Sequence, residues 1–144
     1  MNKNKKEKII GFTCGSFDIT HAGHYLMFEE NRKKCDYLIV GLQTDPSIDR
    51  KNKNKPIQSI KERRIQLKAC KFIDKIIYYK TEKDLVILLK KLKPDIRFLG
   101  KDWKGKNYTG KELPIKIIFN SRNHSYSTTS IRDRIINEYL KSQN

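Results

Sequence analysis

The chain has 144 residues, 37% of them hydrophobic, a mean hydropathy of −0.75 and a formal charge of +16. That is enough chain for one domain with a proper core, but no apolar run approaches the roughly 20 residues that would span a membrane. Its three cysteines, Cys14, Cys35 and Cys70, are scattered and lack a Cys-x-x-Cys pair, so they indicate neither a disulfide framework nor a structural zinc site.

The first eight residues are basic, and no signal-type apolar region with a small-residue cleavage site follows them. The expectation is a flexible basic start, residues 1–8, on a cytoplasmic protein whose residues 1–144 form a single domain. Residues 9–13 read as the first strand and 24–34 as the first helix. The continuous apolar run Tyr37-Leu38-Ile39-Val40-Gly41-Leu42 reads as a strand buried on both faces. A polar stretch to about residue 58 follows, with a charged loop at 50–56.

Ser59 with Glu62 three residues on is a capping-box pattern, opening a helix to about residue 70 with Ile60, Arg64, Leu67 and Cys70 spaced along it. Residues 75–79 read as a strand. Thr81 caps a helix over 82–92 with a wide leucine stripe, and Pro94 ends it. A strand at 96–100, a Gly- and Lys-rich loop at 101–114, a strand at 115–119 and a helix at 130–141 complete the chain. Strands alternating with helices imply a parallel sheet with helices on both faces. In such sheets a ligand sits beyond the carboxyl ends of the strands, at the topological switch point.

The charge has two readings. A basic chain attracts polyanions, whether nucleic acid or triphosphates. Yet only eight of the 32 Lys and Arg residues are Arg, a bias that an AT-rich coding sequence produces and that nucleic-acid readers usually avoid. A positive field would still favour entry of a triphosphate.

The most informative stretch runs from Gly11 to His24. A strand, the turn Gly15-Ser16 and a helix N-terminus in that order form an anion site, because free N–H groups and the positive end of the helix dipole face the turn. Gly15 allows close approach of a phosphate. His21 and His24, three apart, lie on one helical face, where two imidazoles can hydrogen-bond triphosphate oxygens as charge builds up. The plainer readings are surface histidines or half of a metal site lacking its third ligand.

Three further motifs follow strand ends or open helices. Hydroxyls at Ser127, Thr128 and Thr129 either cap the last helix or donate to a phosphate there. Asp102 and Trp103 form either a simple turn or a nucleotide and acceptor wall. Lys55 and Arg63 belong either to a solvated charged face or to a phosphate-binding set, with Lys51 and Lys53 able to stand in for Lys55.

The pattern His21-Ala22-Gly23-His24, preceded by Gly15-Ser16-Phe17-Asp18, resembles the nucleotidyltransferase superfamily of cytidylyltransferases and small adenylyltransferases. The resemblance covers about residues 9–136. Residues 122–129 resemble the cytidylyltransferase signature Arg-Thr-Glu-Gly-Ile-Ser-Thr-Thr: Arg122, Ser127, Thr128 and Thr129 match, whereas Asn123, His124, Ser125 and Tyr126 depart from it. Gly100-Lys101-Asp102-Trp103 resembles Gly-Asp-Asp-Trp of the glycerol-3-phosphate cytidylyltransferases, with Lys101 replacing an acid.

The resemblance implies a Rossmann-like, doubly wound parallel sheet of five strands and attack of an acceptor phosphate on the α-phosphorus of a nucleoside triphosphate. It implies catalytic roles for His21, His24, Lys55 and Arg122. Nucleotide contacts would come from Thr13, Cys14, Gly15, Ser16, Phe17, Asp102, Ser127, Thr128 and Thr129, and acceptor contacts from Asp18, Arg63 and Trp103. Asp18 would order the loop or face the acceptor. No protein metal site is expected; Mg²⁺ would arrive with the triphosphate, since that ion needs few protein ligands. A homodimer is implied. CTP with glycerol 3-phosphate is the leading substrate pair, and an adenylyltransferase acting on a sugar phosphate is the alternative. A basic nucleic-acid-binding module is the alternative of another class.

Overall fold

The computed structural model describes residues 7–144; the first six residues of the expected basic start lie outside it. In chain order the elements are β1 (Ile10–Gly15), α1 (Ala22–Arg32), β2 (Tyr37–Gln43), α2 (Ile60–Lys68), β3 (Lys75–Tyr79), α3 (Glu82–Leu92), β4 (Ile96–Leu99), a short 3₁₀ turn (Lys101–Trp103), β5 (Lys116–Phe119) and α4 (Thr128–Ser142). The five strands form one sheet in the order β3-β2-β1-β4-β5, and every pairing is parallel. This is the doubly wound, Rossmann-like arrangement, and the switch point lies between β1 and β4.

Alternation along the strands divides the core between two faces. Leu38, Val40 and Leu42 of β2 pack with Phe28 of α1 and Leu67 of α2. Ile39 of β2 and Phe12 of β1 pack on the other face with Leu85 and Leu89 of α3. Gly11 and Gly41 are needed where side chains cross the strands: a Cβ on Gly11 would lie 2.6 Å from the Phe98 ring, and one on Gly41 2.8 Å from that of Phe12.

One edge of the sheet is tied and the other is open. Asp36, Asp74 and Asp95 stand just before β2, β3 and β4 and accept the main-chain N–H of Ile9, Leu38 and Ile10, each at 2.8 Å. Those bonds close the amino-terminal edge. The carboxyl edge is left to its loops.

Local signals act as read at α2 and α3, whose capping boxes use Ser59 with Glu62 and Thr81 with Asp84. Lys93 ends α3 at φ 47° just before Pro94. The stripe on α2 keeps the expected Ile60, Leu67 and Cys70 on the core side, but its buried arginine is Arg63, and Arg64 is exposed. α4 runs 128–142, longer than expected, and Ile135, Ile136, Tyr139 and Leu140 on it are all more than half exposed.

Candidate active site

The turn after β1 holds two strained residues close together. Phe17 and Ile19 both take left-handed backbone, with φ of 48° and 50°. For a β-branched residue that conformation costs of the order of 1–3 kcal/mol and persists only when its surroundings fix it. Here they do. Ile19 donates its N–H to Gln58 Oε1 at 2.7 Å. The Asp18 carboxylate accepts the N–H groups of Ile57 and Gln58 at 2.8 and 2.9 Å and pairs with Arg132 at 3.3 Å. Phe17 is buried against Phe28 and meets His24 edge-on, with ring centroids 5.7 Å apart.

Arg63 is the main clamp. It is 2% exposed. Its guanidinium donates to the carbonyls of Ser16, Gln43, Thr44 and Gln58 at 2.8, 2.7, 2.6 and 3.2 Å. Those bonds occupy four of its five donors. The acceptor contact expected of Arg63 is therefore replaced by a scaffolding role: it joins the ends of β1 and β2 to the start of α2. Asp18 likewise spends its oxygens on ordering the loop, the other of the two roles read for it.

The histidines open α1 in an unexpected way. His21 is the N-cap: its Nδ1 accepts the N–H of Gly23 at 3.0 Å, and Nδ1 of His24 accepts the N–H of His21 at 3.2 Å. The helix thus starts at Ala22 rather than at residue 24, with two imidazoles forming a capping box. Because both Nδ1 atoms accept, each neutral ring carries its proton on Nε2, pointing away from the helix. Burial, then the neighbouring His21, lowers His24 to about 4. Burial, then His124 and Arg122, lowers His21. The rings lie 4.0 Å apart between centroids, and near neutral pH they present two neutral N–H donors.

Gly23 makes room for a third imidazole. A Cβ there would lie 2.8 Å from Cε1 of both His21 and His124. His124 accepts the N–H of Tyr126 through Nδ1 at 3.1 Å and stacks on the Tyr126 ring, with centroids 5.2 Å apart. His124 and Tyr126 both depart from the family signature, and both line the site.

Three cavities meet at His24. One, of about 620 Å³, lies between α1 and the β5–α4 loop and is lined by His21, Arg122, His124, Tyr126, Asp102 and Thr128. The second, of about 850 Å³, lies over the ends of β1, β2 and β4, with Cys14, Gln43, Tyr79, Arg97 and Trp103 on its walls. The third, of about 240 Å³, holds Ser16, Lys53, Asn54, Thr128, Thr129 and Arg132.

The expected residues distribute unevenly over these spaces. Thr13, Cys14, Gly15, Ser16 and Phe17, expected at the nucleotide, all line the 850 Å³ cavity, and Ser16 and Phe17 also reach the smallest one. Burial pushes the Cys14 thiol up, so it stays a protonated wall residue. Arg122, with left-handed backbone at φ 45°, pairs with Asp102 at 3.1 Å on the rim of the 620 Å³ cavity. Ser127 is the N-cap of α4, its Oγ accepting the Ser130 N–H at 3.0 Å, so the capping role holds for it, while Thr128 and Thr129 face cavities. Trp103 lines the 850 Å³ cavity with Arg50 over its ring at 5.9 Å.

Lys55 lines none of these three cavities; Lys53, two residues earlier, lines two of them. Lys53 closes the turn at residues 51–53 and Lys55 lies beyond it, a difference that sequence spacing could not show. Gln43, Tyr79, Arg97 and Arg132 are site residues that the sequence reading did not single out. Only Arg97 carried a signal, a charge inside an otherwise apolar strand.

Among the described residues no group of three His, Cys, Asp or Glu side chains is gathered to hold a metal ion. The exposed Asp102 carboxylate stands on the rim of the 620 Å³ cavity, paired with Arg122. No helix of the described residues is long and apolar enough to cross a membrane.

A family described as Cytidylyltransferase-like matches residues 12–134. The bifunctional protein HldE of Campylobacter jejuni subsp. doylei is 35% identical over 132 residues, 91% of this chain and 28% of that protein. HldE of Helicobacter hepaticus is 34% identical over 134 residues, 92% of this chain and 28% of that protein. The chain thus spans little more than a quarter of those curated relatives. Among solved structures, the lipopolysaccharide core biosynthesis protein of Thermoplasma volcanium GSS1 is similar at a TM-score of 0.67 and 28% identity, over 84% of this chain and 100% of that one.

Proposed function

The chain belongs to the cytidylyltransferase-like family of nucleotidyltransferases, and on that premise we propose that it transfers AMP from ATP to a sugar phosphate and releases pyrophosphate. The observation that carries this reading is the meeting of three cavities at His24. Such a transfer needs three spaces around one phosphorus: one for the nucleoside, one for the attacking acceptor and one for the leaving pyrophosphate.

The 620 Å³ cavity, with the stacked His124 and Tyr126 rings, suits a nucleoside. The 850 Å³ cavity suits the acceptor, which reassigns Thr13, Cys14 and Gly15 from the nucleotide to the acceptor side. The small one, with Lys53, Arg132 and the N-terminus of α4, suits pyrophosphate. An oxygen of the acceptor phosphate attacks the α-phosphorus. The bond from that phosphorus to its bridging oxygen breaks, and the electron pair leaves with pyrophosphate. Nε2–H of His21 and His24 donate to the oxygens where charge grows, and both rings are already oriented by their Nδ1 bonds. Mg²⁺ bound to the triphosphate would supply further neutralisation, with Asp102 able to share its shell.

A sugar phosphate displaces glycerol 3-phosphate as leading acceptor for two reasons. Two relatives at 34–35% identity are HldE proteins, and a structural relative at 28% identity is a lipopolysaccharide core biosynthesis protein, which supports a saccharide acceptor. The acceptor cavity is also far roomier than a three-carbon alcohol requires. The second reading, CTP with glycerol 3-phosphate, rests on Asp102 and Trp103 at the two cavity rims. Pairing of two copies goes with either reading and is supported by the exposed apolar side chains of α4; a doubled mass in light scattering is expected. A cytoplasmic location follows from the need for nucleoside triphosphates.

The test is pyrophosphate release from ATP and CTP, each with Mg²⁺, against pentose, hexose and heptose 1-phosphates and glycerol 3-phosphate. Release with ATP and a sugar phosphate is expected. Release only with CTP and glycerol 3-phosphate would replace the first reading by the second. Salt-sensitive binding to RNA or DNA without any release would remove both.

A further inference from the structure

Arg97 is the second residue of β4 and is 3% exposed. Its guanidinium has one hydrogen-bond partner, the carbonyl of Thr109. It lies over the Tyr108 ring at 5.4 Å, and its buried Nε has no partner. No carboxylate of the described residues comes within 4.0 Å of it. A buried guanidinium normally satisfies its donors or pairs with an acid, because an unpaired charge is costly to bury. The 850 Å³ cavity is the space this side chain borders.

Two other buried polar side chains border the same space with capacity to spare. Gln43, 3% exposed, donates to the Lys80 carbonyl at 3.2 Å, and its Oε1 meets the Tyr79 hydroxyl only at a long 3.5 Å. Tyr79 is 5% exposed, and burial, followed by the nearby Cys14 thiol, raises its hydroxyl, so it remains a donor. Arg50, which pairs with Glu82 at 3.5 Å, and the exposed Lys53 line the same cavity. Arg97, Tyr79 and Gln43 are the buried members of its lining with hydrogen-bonding capacity to spare.

We propose that Arg97, Tyr79 and Gln43 form a floor that hydrogen-bonds the ring hydroxyls of a phosphorylated sugar whose phosphate points towards His24. They are the residues that select a polyhydroxylated acceptor over a short alcohol. This rests on the reading above that the cavity takes the acceptor. Its physical basis is asymmetric: a site built to bond hydroxyls rejects molecules that lack them, because its buried donors would then stay unpaired.

Arg97→Lys and Tyr79→Phe test the floor; the first keeps the charge and the second removes one oxygen. Calorimetric binding of pentose, hexose and heptose 1-phosphates, and of the deoxy form of whichever sugar binds, is measured for each protein, together with KM for acceptor and for ATP. Each variant is expected to weaken sugar-phosphate binding and raise acceptor KM by about tenfold or more, to leave KM for ATP unchanged, and to discriminate less against the deoxy sugar. Unchanged sugar binding and acceptor KM in both folded variants would overturn the floor while leaving the transfer reading intact. Wild-type protein that binds no sugar phosphate and uses only glycerol 3-phosphate would overturn both. Sugar-phosphate binding that depends on Arg97 without ATP turnover would uphold the floor and sink the adenylyl transfer.

Discussion

Two arginines, Arg63 on α2 and Arg97 on β4, are buried to nearly the same extent, and they do opposite things. Arg63, beneath the turn after β1, gives four of its donors to main-chain carbonyls. Arg97, on the far side of β1, gives one. The region around Arg63 is finished without a ligand: strained backbone, loop ends and helix start are all held. The region around Arg97 is unfinished. Burial alone therefore does not tell the two arginines apart; the count of satisfied donors does.

The sharpest way to break that contrast is to replace each arginine by methionine and measure urea unfolding. Arg63→Met strands several carbonyls and frees a strained loop, and a loss of about 3–5 kcal/mol is expected. Arg97→Met removes a poorly compensated buried charge, and stability is expected to stay level or rise. Equal losses in the two variants would show that Arg97 is as structural as Arg63.

The next test leaves stability aside. His24→Ala should cut kcat by about 100- to 1,000-fold, the usual effect of removing one preorganised donor, with a circular dichroism spectrum like that of the parent. A fall of less than tenfold would take His24 out of the chemistry.

Acid probes the same ring differently. His24 is held at about 4, below its usual 6.5. Between those values the unfolded chain binds the extra proton and the folded one does not, so stability falls as the pH drops through that window. The loss should reach about 3 kcal/mol near pH 4. Unfolding curves across the window should show this slope in the parent and lose it in His24→Asn. The smallest expected effect is that of Gly23→Ala, whose methyl must push His21 and His124 apart. It should cost about 1–2 kcal/mol and raise KM for the nucleotide more than KM for the acceptor.

Most of the fold was legible because its signals are local. Capping boxes at Ser59 and Thr81, apolar strand runs and the Pro94 stop each act within a few residues. The histidine turn was legible as a motif, though not as a cap, since imidazoles seldom start helices. Arg63 was misassigned because a phosphate-binding arginine and a carbonyl-binding one look alike in one dimension. Arg97, Gln43 and Tyr79 converge from three strands, a meeting set by sheet order rather than by spacing. The apolar side chains that α4 leaves exposed were not legible either, because periodicity reports an apolar face without naming what covers it.

The convergence of three cavities on His24 has a consequence for how such a protein can diverge. On the proposed reading, the nucleoside wall would be drawn mainly from α1 and the β5–α4 loop, and the acceptor floor from the ends of β2, β3 and β4. Separate stretches of gene would then encode donor choice and acceptor choice. Mutation could rewrite one while the other, and the imidazole they share, are inherited unaltered.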